Sequence, residues 1–467
     1  MRTSIIGLTA AMLIGGCGVA PTEAPATTTA GAVVAPMTTA VTVTIPVAAE
    51  FPVRSCGGAV PRDWTLLCQA AELIAAHHAS EPDPVGLAAA ALLGVESARF
   101  DPVTPPEVLG ACTVPDAAFE VLCAPILEGA ALGKGTVEER VEAAVQGLFR
   151  YGLDPFSSYI QPDFADRLDE LGGGVIPTLG MAAAARFERG ESCGPITTEC
   201  RLRVTAVFPF GTADRGGLVA GDVIVAIDGV AVLGLSPDEA IALLYGPPGS
   251  AVELEVSRDG GLVQKSLVHE DIRFSPIEFE VLPASIVYIR LNEFSQASAQ
   301  LLGRALDTTE ARSSRGLILD LRANPGGLLL AAQAVASQFL ETGTVLVEES
   351  RSERHEWPVI EGGLAPDTPL VVLTSRDSAS ASEVVAAALQ EAGRATVIGD
   401  RTFGKNAVQL VFRARNGGEF RITTSRWTTG EGLDVGSAGL TPDILIEERA
   451  TGDDDPALLR AFGLLGG

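Results

Sequence analysis

Positive charge is scarce in this chain: across 467 residues, 33 Lys and Arg stand against 59 Asp and Glu, a formal net charge of −26. No stretch gathers Lys or Arg into a stripe, which excludes nucleic acid as a partner because phosphate binding needs clustered cations. Histidine is scarcer still. The four are His77, His78, His269 and His355, none in ligand spacing, so no metal and no cofactor is expected, and no histidine is placed for a Ser-His-Asp triad. The adjacent His77-His78 reads as part of an amphipathic helix with one ring buried. Long apolar runs are missing as well: Ile5 to Ile14 is too short to span a bilayer as a helix. The acidic balance reads as a self-repelling soluble surface, and the run Asp453-Asp454-Asp455 as solvated rather than metal-binding.

What is present begins at the N-terminus. Arg2, the apolar run and Gly15-Gly16-Cys17 have the layout of a secretory signal peptide, and the segment resembles the lipobox of bacterial lipoproteins, in which the cysteine is diacylated. An ordinary signal peptide that discards Cys17 is the alternative. The cysteines number seven, an odd count for an oxidising compartment. Assigning Cys17 to lipid leaves six in three local couples, Cys56 with Cys68, Cys112 with Cys123 and Cys193 with Cys200. Short-loop disulfides are the natural interpretation, although six cysteines permit fifteen connectivities. The expected location is extracytoplasmic, in a bacterial cell envelope, anchored to the membrane by lipid.

Periodicity divides the rest. Residues 1–17 form the leader, and 18–50, rich in Ala, Thr and Pro, an extended tether. Residues 51–168 carry apolar positions at three- and four-residue spacing, with helices predicted at Ala70 to Ala79, Val85 to Glu96, Ala117 to Ala124 and Glu138 to Arg150. Residues 172–272 read as short strands around one helix, with Gly221-Asp222, the strand Val223 to Ile227 and a tight Asp228-Gly229 turn. Between 279 and 448 strands alternate with helices, which implies βαβ crossovers and a parallel or mixed sheet. An acidic tail, 449–467, closes the chain. The fold class is therefore multidomain α+β.

Within 279–448, Asp377-Ser378-Ala379-Ser380-Ala381-Ser382-Glu383 follows the apolar strand Leu370 to Leu373 and opens an Ala-rich helix. A serine there sits beside free N–H groups and the positive end of a helix dipole, where an oxyanion is stabilised. Lys405, just past Gly404, supplies a base if its amine is neutral. Taken singly, the serine run is a cap and the lysine a surface charge. The odds change with Asn324-Pro325-Gly326-Gly327, a turn at the end of a buried-type strand whose backbone N–H groups are ready donors to an oxyanion. Both turns fall at strand C-termini, where open α/β sheets gather their ligands.

Leu319-Asp320-Leu321-Arg322 with Asn324-Pro325-Gly326-Gly327, the serine run, Thr402-Phe403-Gly404-Lys405 with Gln409, and Leu440-Thr441-Pro442-Asp443-Ile444 together resemble the carboxyl-terminal processing peptidases, or tail-specific proteases. The resemblance implies an α/β serine peptidase core of the ClpP/crotonase-like type, a helical N-terminal region and an inserted PDZ domain. It implies Ser380 as nucleophile, Lys405 as base and Gln409 as its orienting residue, with the N–H of Ala381 and that of Gly326 or Gly327 as oxyanion donors. In the PDZ domain it places a substrate's C-terminal carboxylate on Leu179, Gly180 and Met181. Two positions depart from the pattern. Asn406 stands where the family has glycine, a substitution expected to be tolerated through Asn's ease with left-handed backbone, and Trp427 to Gly432 match loosely.

The function implied is a serine endopeptidase that docks exported proteins by their C-terminal tails and cleaves them through an acyl-enzyme. The alternatives are a non-catalytic tail-binding module of the same fold and a surface interaction protein built on the PDZ domain. Expected partners are protein or peptide substrates with accessible tails and a membrane reached by lipid; a homodimer or an adaptor is left open.

Overall fold

The computed structural model describes residues 62–466 except 108, 115, 163–164, 166–178, 189–192, 194–195, 208–210, 259, 271–275, 437 and 447–454. The leader with Cys17, the tether and Cys56 therefore lie outside the described residues. No helix among the described residues is long and apolar enough to cross a membrane.

The chain enters through helices α1 (Thr65–His77), α2 (Pro84–Ser97), α3 (Cys123–Ala131) and α4 (Val137–Gly152). Their starts are written locally. Asp83 accepts from the Val85 N–H with Pro84 behind it, and Thr136 and Glu139 form a reciprocal capping box on α4. The Cys112–Cys123 disulfide ties the segment between α2 and α3 to the start of α3. Cys68 is disulfide-bonded as well.

These helices pack on a core strand. Strand β1 (Ser158–Ile160) leaves α4 and pairs antiparallel with a core strand, Ser158 opposite Arg421. Phe149 of α4 stacks on Phe420 at 5.5 Å, and Leu148, Phe149, Tyr159, Phe412, Phe420 and Ile422 share one buried cluster. Period-3.6 apolar residues reveal a buried helix face but not which element covers it.

The small β domain follows: β2 (Met181–Arg186), β3 (Arg201–Val207), β4 (Val223–Ile227), β5 (Val230–Ala231), the helix α5 (Pro237–Leu243), β6 (Ala251–Arg258) and β7 (Gly261–Val268). The sheet order is β2-β3-β4-β6-β7, with β5 beside β4 and β2 at an edge. Asp228 and Gly229 take φ of 48° and 79°, the pair of left-handed residues that a two-residue hairpin needs. Cys193 and Cys200 are bonded across the turn before β3.

The largest unit runs through β8 (Ile277–Leu282), β9 (Ile286–Leu291), α6 (Gln296–Leu306), β10 (Gly316–Asp320), α7 (Leu329–Ala336), β11 (Thr344–Glu349), β12 (Arg354–Pro358), β13 (Leu370–Thr374), α8 (Ala381–Glu391), β14 (Thr396–Gly399), β15 (Ala407–Arg413), β16 (Glu419–Thr428) and β17 (Ile444–Leu445). Its main sheet has the order β17-β14-β13-β10-β9-β8, parallel throughout except for the β8–β9 hairpin. Side chains alternate between two buried faces. Leu317, Leu319, Val372 and Val397 meet α6, α7 and α8, while Ile318, Val371, Leu373 and Ile398 face the other way. Burial on both faces is why these strands read as continuous apolar runs. A second, antiparallel sheet joins β1, β16, β11 and β12, with β15 on β16; its half-polar strands escaped the sequence reading.

The face made by Ile318, Val371 and Leu373 is covered by α9 (Pro456–Leu464), whose Ala457 and Ala461 are buried against it. The segment expected to be a solvated acidic tail is thus corrected in part: Asp455 caps α9 through the Leu458 N–H and pairs with Arg322 at 2.8 Å. Asp455 thus marks a helix start, while Asp453 and Asp454 lie outside the described residues.

Helices α2 and α4 meet at two glycines. A Cβ on Gly147 would stand 2.5 Å from the Ala90 carbonyl oxygen and 2.6 Å from Gly94 Cα. Gly147→Val is expected to lower unfolding stability by about 1–3 kcal/mol, read as a shift of the urea midpoint at constant m. An unchanged midpoint would mean that the helices part without cost.

Candidate active site

Strand β13 ends at Thr374, and the chain turns before α8 through Ser380, whose φ of 54° and ψ of −115° place a non-glycine residue where strain is about 1–3 kcal/mol. The neighbouring serines hold the turn in that shape. Ser378 Oγ donates to the Leu321 carbonyl at 2.8 Å and Ser382 Oγ to the Asn324 carbonyl at 2.9 Å, while Ser375 Oγ accepts from the Ala323 N–H at 3.0 Å. Ser378 and Ser382 are fully buried; Ser380, between them, is partly exposed. One serine of the run is left partly exposed, and two stitch the β13 turn to the turn after β10.

That second turn is the Asn324-Pro325-Gly326-Gly327 segment. Asn324 is buried and donates to the Leu291 carbonyl at 2.7 Å, while its Oδ1 accepts from the Gly326 N–H at 2.9 Å. Gly326 (φ 101°) packs so close that a Cβ there would lie 2.8 Å from Ser380 Cβ and 2.9 Å from the Ala381 nitrogen. The Gly326 N–H is thus already engaged. Among the described residues the N–H groups of Gly327 and Ala381 have no acceptor.

Lys405 lies on the loop between β14 and β15. Its Nζ donates to Gln409 Oε1 at 2.8 Å, and Gln409 Nε2 donates to the Phe156 carbonyl. A carbonyl only accepts, so it fixes the amide's orientation and turns Oε1 toward the lysine. The strand register shifts between Val408 and Gln409, a bulge of the kind that re-aims a side chain. The Phe156 ring lies 5.6 Å from Nζ.

The sequence reading quoted Glu383 but gave it no role. The residue is fully buried and accepts from the Ser380 N–H (2.8 Å), the Lys405 N–H (2.8 Å), the Gly404 N–H (2.7 Å) and Thr402 Oγ1 (2.6 Å). Burial raises its pKa, against the pull of these donors. One carboxylate thus ties the serine turn to the lysine loop. The signal was present as a Ser-x-x-Glu capping box at 380–383, but a capping box does not foretell partners 21 residues onward.

Asn406 corrects an expectation. It takes no left-handed backbone; instead its Nδ2 donates to Asp434 Oδ1 at 2.8 Å and its Oδ1 accepts from Arg426 at 3.0 Å. The loosely matching stretch begins with Trp427, fully buried with Nε1 donating to the Lys405 carbonyl at 3.2 Å.

In the β domain, Leu179 is buried in the core, Gly180 takes φ 72° and Met181 begins edge strand β2. Strand β2 ends at Arg186, which is buried, ion-paired with Asp377, and stacked 4.9 Å over the Phe403 ring. The sequence-predicted tail loop and the serine turn therefore lie at opposite ends of one strand.

Two family descriptions match this chain: Peptidase family S41 over residues 285–446 and PDZ domain over 203–258. A carboxyl-terminal-processing protease of Synechocystis is 32% identical over 316 residues, covering 66% of this chain and 72% of that protein. The corresponding Bartonella bacilliformis protease is 32% identical over 322 residues, covering 67% and 70%. Among solved structures, a photosystem II D1 C-terminal processing protease superposes with a TM-score of 0.63 at 23% identity, over 86% of this chain and 98% of that one, which shows a common fold.

In Glu383→Gln, neither amide orientation suits the site, because each carboxylate oxygen faces at least one N–H. An expected loss of about 1–3 kcal/mol is read by urea denaturation; wild-type stability would show that the knot is dispensable. The S41 match spans this knot with the strands that carry it, and on the identities and coverage above the chain belongs to the carboxyl-terminal processing proteases, a serine-type peptidase with an inserted PDZ domain.

Proposed function

We propose that the enzyme takes protein substrates by their C-terminal tails and cleaves upstream with Ser380 as nucleophile and Lys405 as general base. The supporting observation is the grouping of a strained, partly exposed Ser380 with two unengaged N–H groups and a lysine held by Gln409. Ser380 Oγ attacks the scissile carbonyl carbon while neutral Lys405 accepts the hydroxyl proton. The tetrahedral oxyanion is met by the N–H of Ala381, at the N-terminus of α8, and by that of Gly327, in the turn after β10. As the C–N bond breaks, Lys405 returns the proton to the leaving amine. A water, deprotonated by the same lysine, then hydrolyses the acyl-serine ester and restores Ser380.

The tail's path follows from β2. A carboxylate held at Leu179, Gly180 and Met181 on backbone N–H groups, with its chain added along the edge strand, runs antiparallel to β2. Its upstream residues then travel toward Arg186, about 17 Å away for five strand steps, and so toward the serine turn. Cleavage upstream of the docked tail is the geometric consequence.

The same reading puts the enzyme outside the cytoplasm, because the Cys112–Cys123 and Cys193–Cys200 bonds belong to an oxidising compartment. A leader ending at Cys17, with that cysteine acylated, would hold the enzyme at the membrane on its Ala/Thr/Pro tether.

Two measurements test this. With an unfolded reporter ending in an apolar tail, Ser380→Ala should show no cleavage and Lys405→Ala a loss of about 10²–10⁴-fold, with tail affinity unchanged in both. Cleavage by the serine variant would end the assignment of the nucleophile. In a bacterial host that exports the chain, the parent should fractionate with membranes and Cys17→Ser with the soluble fraction; a soluble parent rules out the anchor.

A further inference from the structure

The turn that carries Phe156 is held by a buried charge with no part in the chemistry above. Asp154 Oδ2 accepts from His78 Nε2 at 2.9 Å and Ser157 Oγ at 2.7 Å; Oδ1 accepts from the Phe156 N–H at 3.0 Å, the Ser157 N–H at 3.3 Å and Thr423 Oγ1 at 2.9 Å. The side chains of His78 and Asp154 are only 6% and 8% exposed. Burial alone would raise the Asp154 pKa, but donors from His78, Ser157, Thr423 and Phe156 outweigh it and hold the carboxyl well below the usual range. An ionised carboxylate only accepts, so His78 Nε2 carries a proton. His78 is the C-cap of α1, and Thr423 lies on β16, where its carbonyl accepts from the Ala79 N–H at 2.7 Å. Asp154 therefore joins the end of α1, the turn at 154–157 and β16.

The residue these elements fix is Phe156. Its N–H is on Asp154, its carbonyl receives Gln409 Nε2, and its ring lies beneath Lys405 Nζ. The amide of Gln409 has its orientation from that carbonyl, and Lys405 has its position from that amide.

We infer that Asp154, with His78, is a positioning residue of the peptidase, acting through Phe156 and Gln409 to hold the amine of Lys405 at the distance and orientation proton transfer requires. The inference rests on Lys405 being the base. It differs from a general stabilising role in where the effect appears: the hydrogen-bond partners of Asp154 and His78 all lie outside the PDZ domain, so KM is spared while kcat falls.

The test is a kinetic double-mutant cycle on the full-length enzyme with the apolar-tail reporter. Asp154→Asn keeps the shape and one acceptor but loses the charge. It should lower kcat by about tenfold to a hundredfold with KM within about twofold of the parent. Gln409→Ala should lower kcat by a similar factor, and the double variant by no more than about twofold beyond Gln409→Ala, because both act on one path. Losses that multiply, or an unchanged kcat in Asp154→Asn, would overturn the proposal. If Asp154→Asn does not fold, His78→Gln, which retains a donor toward Asp154, takes its place in the cycle with the same expected non-additivity and the same overturning result. Cleavage that survives Lys405→Ala removes the base assignment and this inference together. Cleavage lost in Lys405→Ala but intact in Asp154→Asn removes the inference alone.

Discussion

A single buried carboxylate decides the geometry of this enzyme's site. Glu383 is fully buried, and a charge in that setting is destabilising by several kcal/mol unless donors surround it. Here they do, and the four come from two separate segments: Ser380 from the turn before α8, and Thr402, Gly404 and Lys405 from the loop between β14 and β15. The arrangement is rigid because each donor is a backbone N–H or a buried hydroxyl. A serine on one crossover and a lysine on the next have no local reason to face each other. The carboxylate supplies that reason, and it also helps hold the unfavourable backbone of Ser380 in place.

Around that knot, each part of the chain contributes one support. The parallel sheet delivers two turns at the C-terminal ends of β10 and β13, and the flanking serines bind those turns to each other. The second sheet carries the lysine loop and Gln409, and the N-terminal helices pack behind it through Phe149, Tyr159 and Phe420. The PDZ domain reaches the site through Arg186, whose guanidinium lies on Asp377 and Phe403, the segments that lead into Ser380 and Lys405. A tail docked on β2 would therefore lie along a strand that already touches both proposed catalytic loops.

Much of the site was legible because its parts are contiguous. Ser380, Lys405 and the Pro-Gly-Gly turn sit in short motifs, and the core strands announce themselves as apolar runs because both faces of their sheet are covered. What stayed hidden was partnership at long range. Nothing in the spacing of Glu383 says that it receives Thr402, and nothing near Asn406 says that its side chain clamps Asp434 and Arg426 rather than replacing glycine's backbone freedom. The second sheet was missed for a related reason. Strands such as Arg354–Pro358 are mostly exposed and carry little apolar alternation, so their pairing is set by the partners rather than by their own pattern. The C-terminal helix was hidden by its acidic start, which reads as a solvated tail until Arg322 is seen beside Asp455.

The charge imbalance has a structural side. In a chain so short of cations, several arginines lie at joints between elements rather than on open surface. Arg322 binds Asp320 within β10 and Asp455 at the start of α9, which fixes the strand end that leads into the Asn324 turn. Arg186 joins the PDZ strand to the serine turn, and Arg426 joins β16 to the residue after Lys405. Arg394 donates to the carbonyls of Phe339, Ala365 and Thr368 at the opposite end of the core. The planar guanidinium suits this work because it makes several bonds in fixed directions from one side chain. A net charge of −26 is self-repelling, and that repulsion opposes compaction. Placing cations where separate segments meet offsets the repulsion at the points where relative position matters most, which here are the segments that carry Ser380, Lys405 and the turn between them.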